Sequence, residues 1–165
     1  MKRILSSLIT VTMILVLLMG CGLSEEPRSQ TALSGGKEGL VIQNDGSETT
    51  VAWDEIDREP FEGEIVNGKG EIYHDQFEGA ELRLIFAANG IEVSEDSVIC
   101  VQSDDDYSAE LTGAEILETG KVYIVLSKNG EMVEGSEGGQ GAQLIAFGDP
   151  NSRRAVKYLK MISVN

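Results

Sequence analysis

From residue 39 onward, short apolar runs alternate with polar turns, and helical spacing is rare. LVIQ (residues 40–43) and TTVAW (49–53) flank Asp45-Gly46, a pair that suits the tight turn of a β-hairpin. WDEI (53–56) predicts a short helical turn before Pro60. Phe61, Gly63 and Ile65 alternate along one face of a strand, and NGKG (67–70) follows as a turn. FEGAELRLIFAANG (77–90) predicts a helix, because Ala80, Leu84, Ala87 and Ala88, joined by Ile85, fall at helical spacing and Gly90 suits its C-terminal cap. SVICVQS (97–103) reads as a buried strand, with Cys100 as a small buried hydrophobe within it. TGAE (112–115) has the spacing of a capping box and starts a short helix. VYIVLSKNGEMV (122–133) predicts a hairpin around Asn129-Gly130, and QLIAF (143–147) and MISV (161–164) predict two further strands. Strands outnumber helices and the helices are short, so the expected class is α+β, a mixed β-sheet domain over residues 39–165.

The first 38 residues follow a different pattern. A positive start, MKR, precedes a largely apolar stretch over 4–18, and LMGC (18–21) closes it. This is the layout of a secretory signal. LMGC resembles the lipobox of bacterial lipoproteins, with Leu18 at its first position, Gly20 before the cut and Cys21 after it. That resemblance implies a signal peptide over 1–20, acylation of Cys21, and attachment to the outer face of a membrane through lipid. Residues 21–38 are polar, contain Pro27 and Gly35-Gly36, and read as a flexible tether that holds the domain roughly 20–25 Å from the anchor.

Charge narrows the partners. The chain has 13 Lys and Arg against 28 Asp and Glu, a formal net charge of -15. A nucleic-acid binder needs a basic footprint, so nucleic acid is excluded as a partner. Removal of residues 1–20 takes away Lys2 and Arg3 and moves the charge from -15 to -17, which repels anionic lipid. Attachment to a membrane must then come from the lipid on Cys21. The chain has 2 Cys, so with Cys21 acylated Cys100 has no partner for a disulfide, and no Cys-rich metal site is expected.

Few segments suggest chemistry. EGSEGGQGAQ (134–143) lacks the GK[ST] ending of a phosphate loop and reads as a flexible loop that feeds a strand. SDDDY (103–107) lacks the Gly and the final Glu of a Ca²⁺ loop and reads as a solvated acidic loop. His74, the only histidine, lies in the polar stretch YHDQF and reads as an exposed loop residue. No catalytic residue and no metal ligand is assigned. The remaining feature is RRAVKY (153–158), which with Lys160 gathers positive charge in an acidic chain. On a helical turn Arg154 and Lys157 would lie on one side, where Arg forks onto phosphate oxygens and Lys adds a point charge. The alternative is a solvated turn that balances local acids.

Three segments in order resemble the oxidoreductase molybdopterin-binding domain of sulfite oxidase-like enzymes. They are FEGAELRLIFAANGI (77–91), SVICVQSDDDYSAEL (97–111) and QLIAFGDPNSRRAVKYLKMISV (143–164). The resemblance implies that fold, and it places Arg154 and Lys157, with Arg153 beside them, near the phosphate of a pterin cofactor. It also implies a molybdenum-ligating Cys within the segment that here reads GEIVNGKGE (63–71), where Val66 and Asn67 stand instead. The expectation is therefore a membrane-anchored, extracytoplasmic lipoprotein whose domain is a non-catalytic ligand-binding or protein-interaction module, with a phosphorylated ligand or a protein as partner and no cofactor. The alternative is a molybdopterin-dependent oxidoreductase with altered metal ligation.

Overall fold

The structure, a computed structural model, describes residues 39–165. The expected signal peptide, Cys21 and the tether lie outside the described residues. Two hairpins form where the turn chemistry places them. Asp45 and Gly46 have φ of 49° and 76° between β1 (Gly39–Asn44) and β2 (Ser47–Ala52). Asn129 and Gly130 have φ of 52° and 80° between β7 (Val122–Lys128) and β8 (Glu131–Met132). Both pairs supply the left-handed backbone that a two-residue hairpin turn requires. After β2 comes a 3₁₀ turn, Trp53–Glu55, with Trp53 buried.

The chain continues through β3 (Glu59–Val66), β4 (Ile72–Glu81), α1 (Leu82–Ala88), β5 (Val98–Ser103), β6 (Ser108–Thr112) and α2 (Gly113–Leu117). After β7 and β8 it forms β9 (Gln143–Ala146), a 3₁₀ turn (Ser152–Arg154) and β10 (Leu159–Val164). One five-stranded sheet has the order β2-β1-β10-β5-β6, with β1 and β10 parallel. The other has the order β3-β4-β7-β8, and β9 also pairs with β7. The main core includes Leu40, Ile99 and Ile162 of the first sheet and Ile124, Leu126 and Leu144 of the second, with Leu82 and Phe86 of α1 and Ile116 of α2. Alternation along β7 sends Val125 to a separate cluster with Phe77 and Ile145. Phe61, Tyr123 and Phe147 pack on this second cluster, and the rings of Phe61 and Tyr123 stack at 4.2 Å. Gly63 makes room there, since a Cβ at that position would strike the Phe147 ring.

Three expectations need correction. The helix expected over 77–90 covers only Leu82–Ala88. Residues 77–81 belong to β4, where they pair with β3 or β7, so the sheet supplies the hydrogen bonds that a helix would have supplied. Ala80 is therefore a strand residue, and the buried face of α1 is Leu82, Ile85 and Phe86, not Leu84, Ala87 and Ala88. Gly90 does end the helix, with φ of 68°. Cys100 is half-buried rather than buried, because β5 turns Ile99 and Val101 inward and Cys100 outward, opposite Glu110 and Ser163. His74 is exposed, but it lies on β4 opposite Glu64, not in a loop.

Candidate functional site

The basic segment follows β9 through Gly148, whose φ of 80° turns the chain toward Asp149 and Pro150. The Asn151 side chain then caps the 3₁₀ turn by accepting the Arg153 N–H at 3.0 Å. The helical geometry stops at Arg154. Ala155 is extended, and Val156 is buried and exchanges backbone hydrogen bonds of 2.9 and 3.0 Å with Leu144. Arg154 and Lys157 thus do not share a helical face, which corrects the expected single turn. Burial of Val156 against β9 draws the chain out of helix after Arg154.

Arg154 lies between two carboxylates. Its Nε donates to Asp149 Oδ2 at 2.8 Å and its Nη2 to Asp149 Oδ1 at 2.5 Å, the forked geometry that suits guanidinium. The same Nη2 lies 2.8 Å from Glu115 Oε1. Glu115 belongs to the capping box of α2: its Oε2 accepts the Thr112 N–H at 2.9 Å, and the Thr112 hydroxyl accepts the Glu115 N–H at 3.3 Å. Arg154 therefore ties the turn after β9 to the start of α2. The hydrogen bond from Arg154 is the main reason the Glu115 carboxyl is held down at about 2, and Asp149 followed by Glu115 raises the Arg154 guanidinium above its ordinary value.

The neighbouring cations are placed differently. Arg153 and Lys157 are exposed and form no ion pair among the described residues. The backbone carbonyl of Arg153 accepts the Tyr107 hydroxyl. Lys160 lies 3.0 Å from Asp104, which also accepts the Ser136 hydroxyl at 2.7 Å. These contacts hold the Asp104 carboxyl below its ordinary value, Ser136 first and Lys160 second. The acidic segment 103–107 thus links β5 to the glycine-rich loop and to β10.

Between this turn and the end of β3 there is almost no space. The cavity bounded by Val66, Asp149, Asn151, Ser152 and Ala155 has a volume of about 10 Å³. That is barely the space of a single water. Asn67 is engaged in its own turn: its Oδ1 accepts the N–H groups of Lys69 and Glu71 at 2.8 and 3.0 Å, and its Nδ2 donates to Glu71 at 2.7 Å. Among the described residues no three His, Cys, Asp or Glu side chains converge as metal ligands.

The more open apolar hollow lies elsewhere. A groove of about 390 Å³ runs between α1 and the start of β3, with Phe61, Ala80, Leu84, Ile85 and Tyr123 among its lining residues. Glu55, Asp57, Glu59 and Glu81 also line it. Helical spacing hides this place, because it assigns Leu84 to the core, whereas Leu84 is 50% exposed.

No family model matches the chain, and no curated protein matches it. Among solved structures, it is similar to the crystal structure of the sulfane dehydrogenase SoxCD from Paracoccus pantotrophus, with a TM-score of 0.61 and 14% identity. The match covers 80% of this chain and 39% of that one, so this chain spans less than half the length of its structural neighbour. At that identity the likeness concerns the fold. The mixed α+β, sulfite oxidase-like architecture expected from the sequence is the architecture of the described domain.

Proposed function

We propose that this chain is a lipid-tethered, extracytoplasmic binding module that uses a sulfite oxidase-like fold without redox catalysis. The observation that carries the reading is the engagement of Arg154 by Asp149 and Glu115. The cation that the fold resemblance assigns to a pterin phosphate already has the protein's own anions as partners. Two further features support the reading. Val66 and Asn67 offer no thiolate where the resemblance implies a molybdenum-ligating Cys. The hollow lined by Val66, Asp149, Asn151, Ser152 and Ala155, of about 10 Å³, is itself smaller than a pterin ring system. Val66 and Asn67 thus do not supply the metal ligand that the resemblance implies. In this reading Arg154 braces the fold, and Arg153 and Lys157 are solvated cations rather than the jaws of a phosphate site.

The proposed anchor is lipid on Cys21, which would place the domain on the outer face of a cytoplasmic membrane or in a periplasm. The charge of -15 supports a covalent anchor over electrostatic adhesion to anionic lipid. The competing reading, an oxidoreductase with altered ligation, is supported by fold likeness alone, and one fold hosts many functions.

Both parts are tested on protein purified from native membranes of a host that makes molybdenum cofactor. The expected result is no stoichiometric molybdenum by elemental analysis, with an acylated Cys21 at the mature N-terminus by mass spectrometry. One molybdenum per chain would overturn the non-catalytic reading. An unmodified Cys21 or an uncleaved N-terminus would overturn the lipid anchor.

A further inference from the structure

We propose that the groove between α1 and the start of β3 docks an extended segment of a partner protein, one that presents a large apolar side chain flanked by Lys or Arg. The inference rests on the reading of the domain as a binding module and names the surface and the chemistry of the partner.

The floor of the groove is apolar and partly aromatic. Phe61 and Tyr123 stack at 4.2 Å, and Ala80 and Ile85 belong to the core beneath. Leu84 stands at the edge, 50% exposed on a helix whose buried face is Leu82, Ile85 and Phe86. A volume of about 390 Å³ accommodates one or two large side chains.

The rim is acidic, and its charge is largely unanswered. Among the described residues no Lys or Arg lines the groove. Glu81 is engaged by Arg83 at 2.5 Å and by the Gly120 N–H at 3.0 Å. Glu55, Asp57 and Glu59 are exposed and form no ion pair among the described residues. Arg58 sits between two of them in sequence but does not line the groove. Apolar contact with a carboxylate rim selects an apolar anchor flanked by cations.

The adjoining β3 favours an extended occupant. Among the described residues it is an edge strand paired only with β4, and it begins at Glu59 on the groove rim. Glu59, Glu62 and Glu64 line this strand, and Pro60 removes one backbone donor. The same charges repel a second copy of a chain with net charge -15 and leave a basic segment as the complementary partner.

The test uses the full chain in phosphatidylcholine nanodiscs and fluorescein-labelled heptapeptides. Each peptide has a central Trp or Leu flanked on both sides by Lys and Arg, and its control has Glu flanks. Anisotropy titrations are expected to saturate with the basic peptides only, and to weaken as salt rises. Leu84→Asp, and separately the triple change Glu55→Lys, Asp57→Lys and Glu59→Lys, should each weaken binding by about tenfold or more while thermal unfolding stays cooperative. Absence of saturation with every basic peptide, equal binding of the Glu-flanked controls, or wild-type affinity in either variant would overturn the proposal. So would a wild-type dimer that Leu84→Asp dissociates, which would assign the groove to a second copy. Molybdenum content tests the binding-module reading independently, so failure of one is distinguishable from failure of the other.

Discussion

At the turn after β9 the cation Arg154 is answered by Asp149 and Glu115, whereas beside α1 the exposed carboxylates of Glu55, Asp57 and Glu59 form no ion pair among the described residues. The first region is filled, with about 10 Å³ left between the turn and β3; the second is an open groove of about 390 Å³. Both carry charge, but in opposite arrangements. Charge that the chain neutralises internally joins elements that are distant in sequence and so contributes to stability. Charge left beside an exposed apolar surface is available to another molecule. Within the positive cluster of this acidic chain, Arg154 is the residue that pairs with two of the protein's own carboxylates.

The largest effect expected from this contrast is at the brace. Arg154→Ala leaves two half-buried carboxylates without their common partner and should destabilise the domain by about 2–3 kcal/mol in chemical denaturation. Arg154→Lys should recover only part of the loss, because an ammonium cannot fork onto Asp149 and still reach Glu115 with the same planar geometry. A loss below about 0.5 kcal/mol for Arg154→Ala would make the turn an ordinary surface feature and remove one side of the comparison.

A smaller, pH-dependent effect isolates the Glu115 arm. Its carboxyl is held at about 2 in the folded protein, below its ordinary 4.5. Folding therefore disfavours its protonation. The stabilisation is fully present above about pH 4.5 and is lost as pH falls toward 2. Asp75, Glu81 and Asp104 are also lowered, so the acid profile of the wild type contains their contributions as well. Comparison with Glu115→Gln separates them. The variant should be less stable than wild type at pH 6, and the gap should narrow steadily on acidification to pH 2. A gap independent of pH would mean that Glu115 acts through its shape in the capping box and not through its charge toward Arg154.

What could be read from the sequence was local. Asp45-Gly46, Asn129-Gly130, Gly90 and the Thr112–Glu115 capping box each specify a turn or a cap through the chemistry of a few adjacent residues, and all appear in the structure. The order of the three resembling segments carried the fold, which the structural neighbour shares. The errors arose where distant residues decide the outcome. β4 runs through 77–81 because β3 and β7 supply its hydrogen bonds, and no spacing within FEGAE reports those neighbours. The environment of Arg154 depends on Glu115, which lies far away along the chain at the start of another helix. The groove was hidden for a related reason: once the helix is shortened to Leu82–Ala88, Leu84 passes from the inferred core to the surface.

The smallest expected effect on stability is therefore at Leu84, and it separates the two regions most sharply. Leu84 is 50% exposed, while its helix neighbours Ile85 and Phe86 are buried. Leu84→Asp removes little buried apolar area and introduces no buried charge, so its cost should stay within about 0.5 kcal/mol, the range of surface substitutions away from caps and cores. Aspartate has a lower helix propensity than leucine, which adds a few tenths of a kcal/mol in the same direction. Phe86→Ala, on the inward face of the same helix, should cost about 3–5 kcal/mol and calibrates the measurement. If Leu84→Asp instead costs more than about 2 kcal/mol in denaturant titration, Leu84 is a working part of the core and the groove is a seam in its packing. If the two helix positions separate as expected, the exposed leucine is a surface that folding does not require, in contrast to Arg154, whose ion pairs join the turn after β9 to the start of α2.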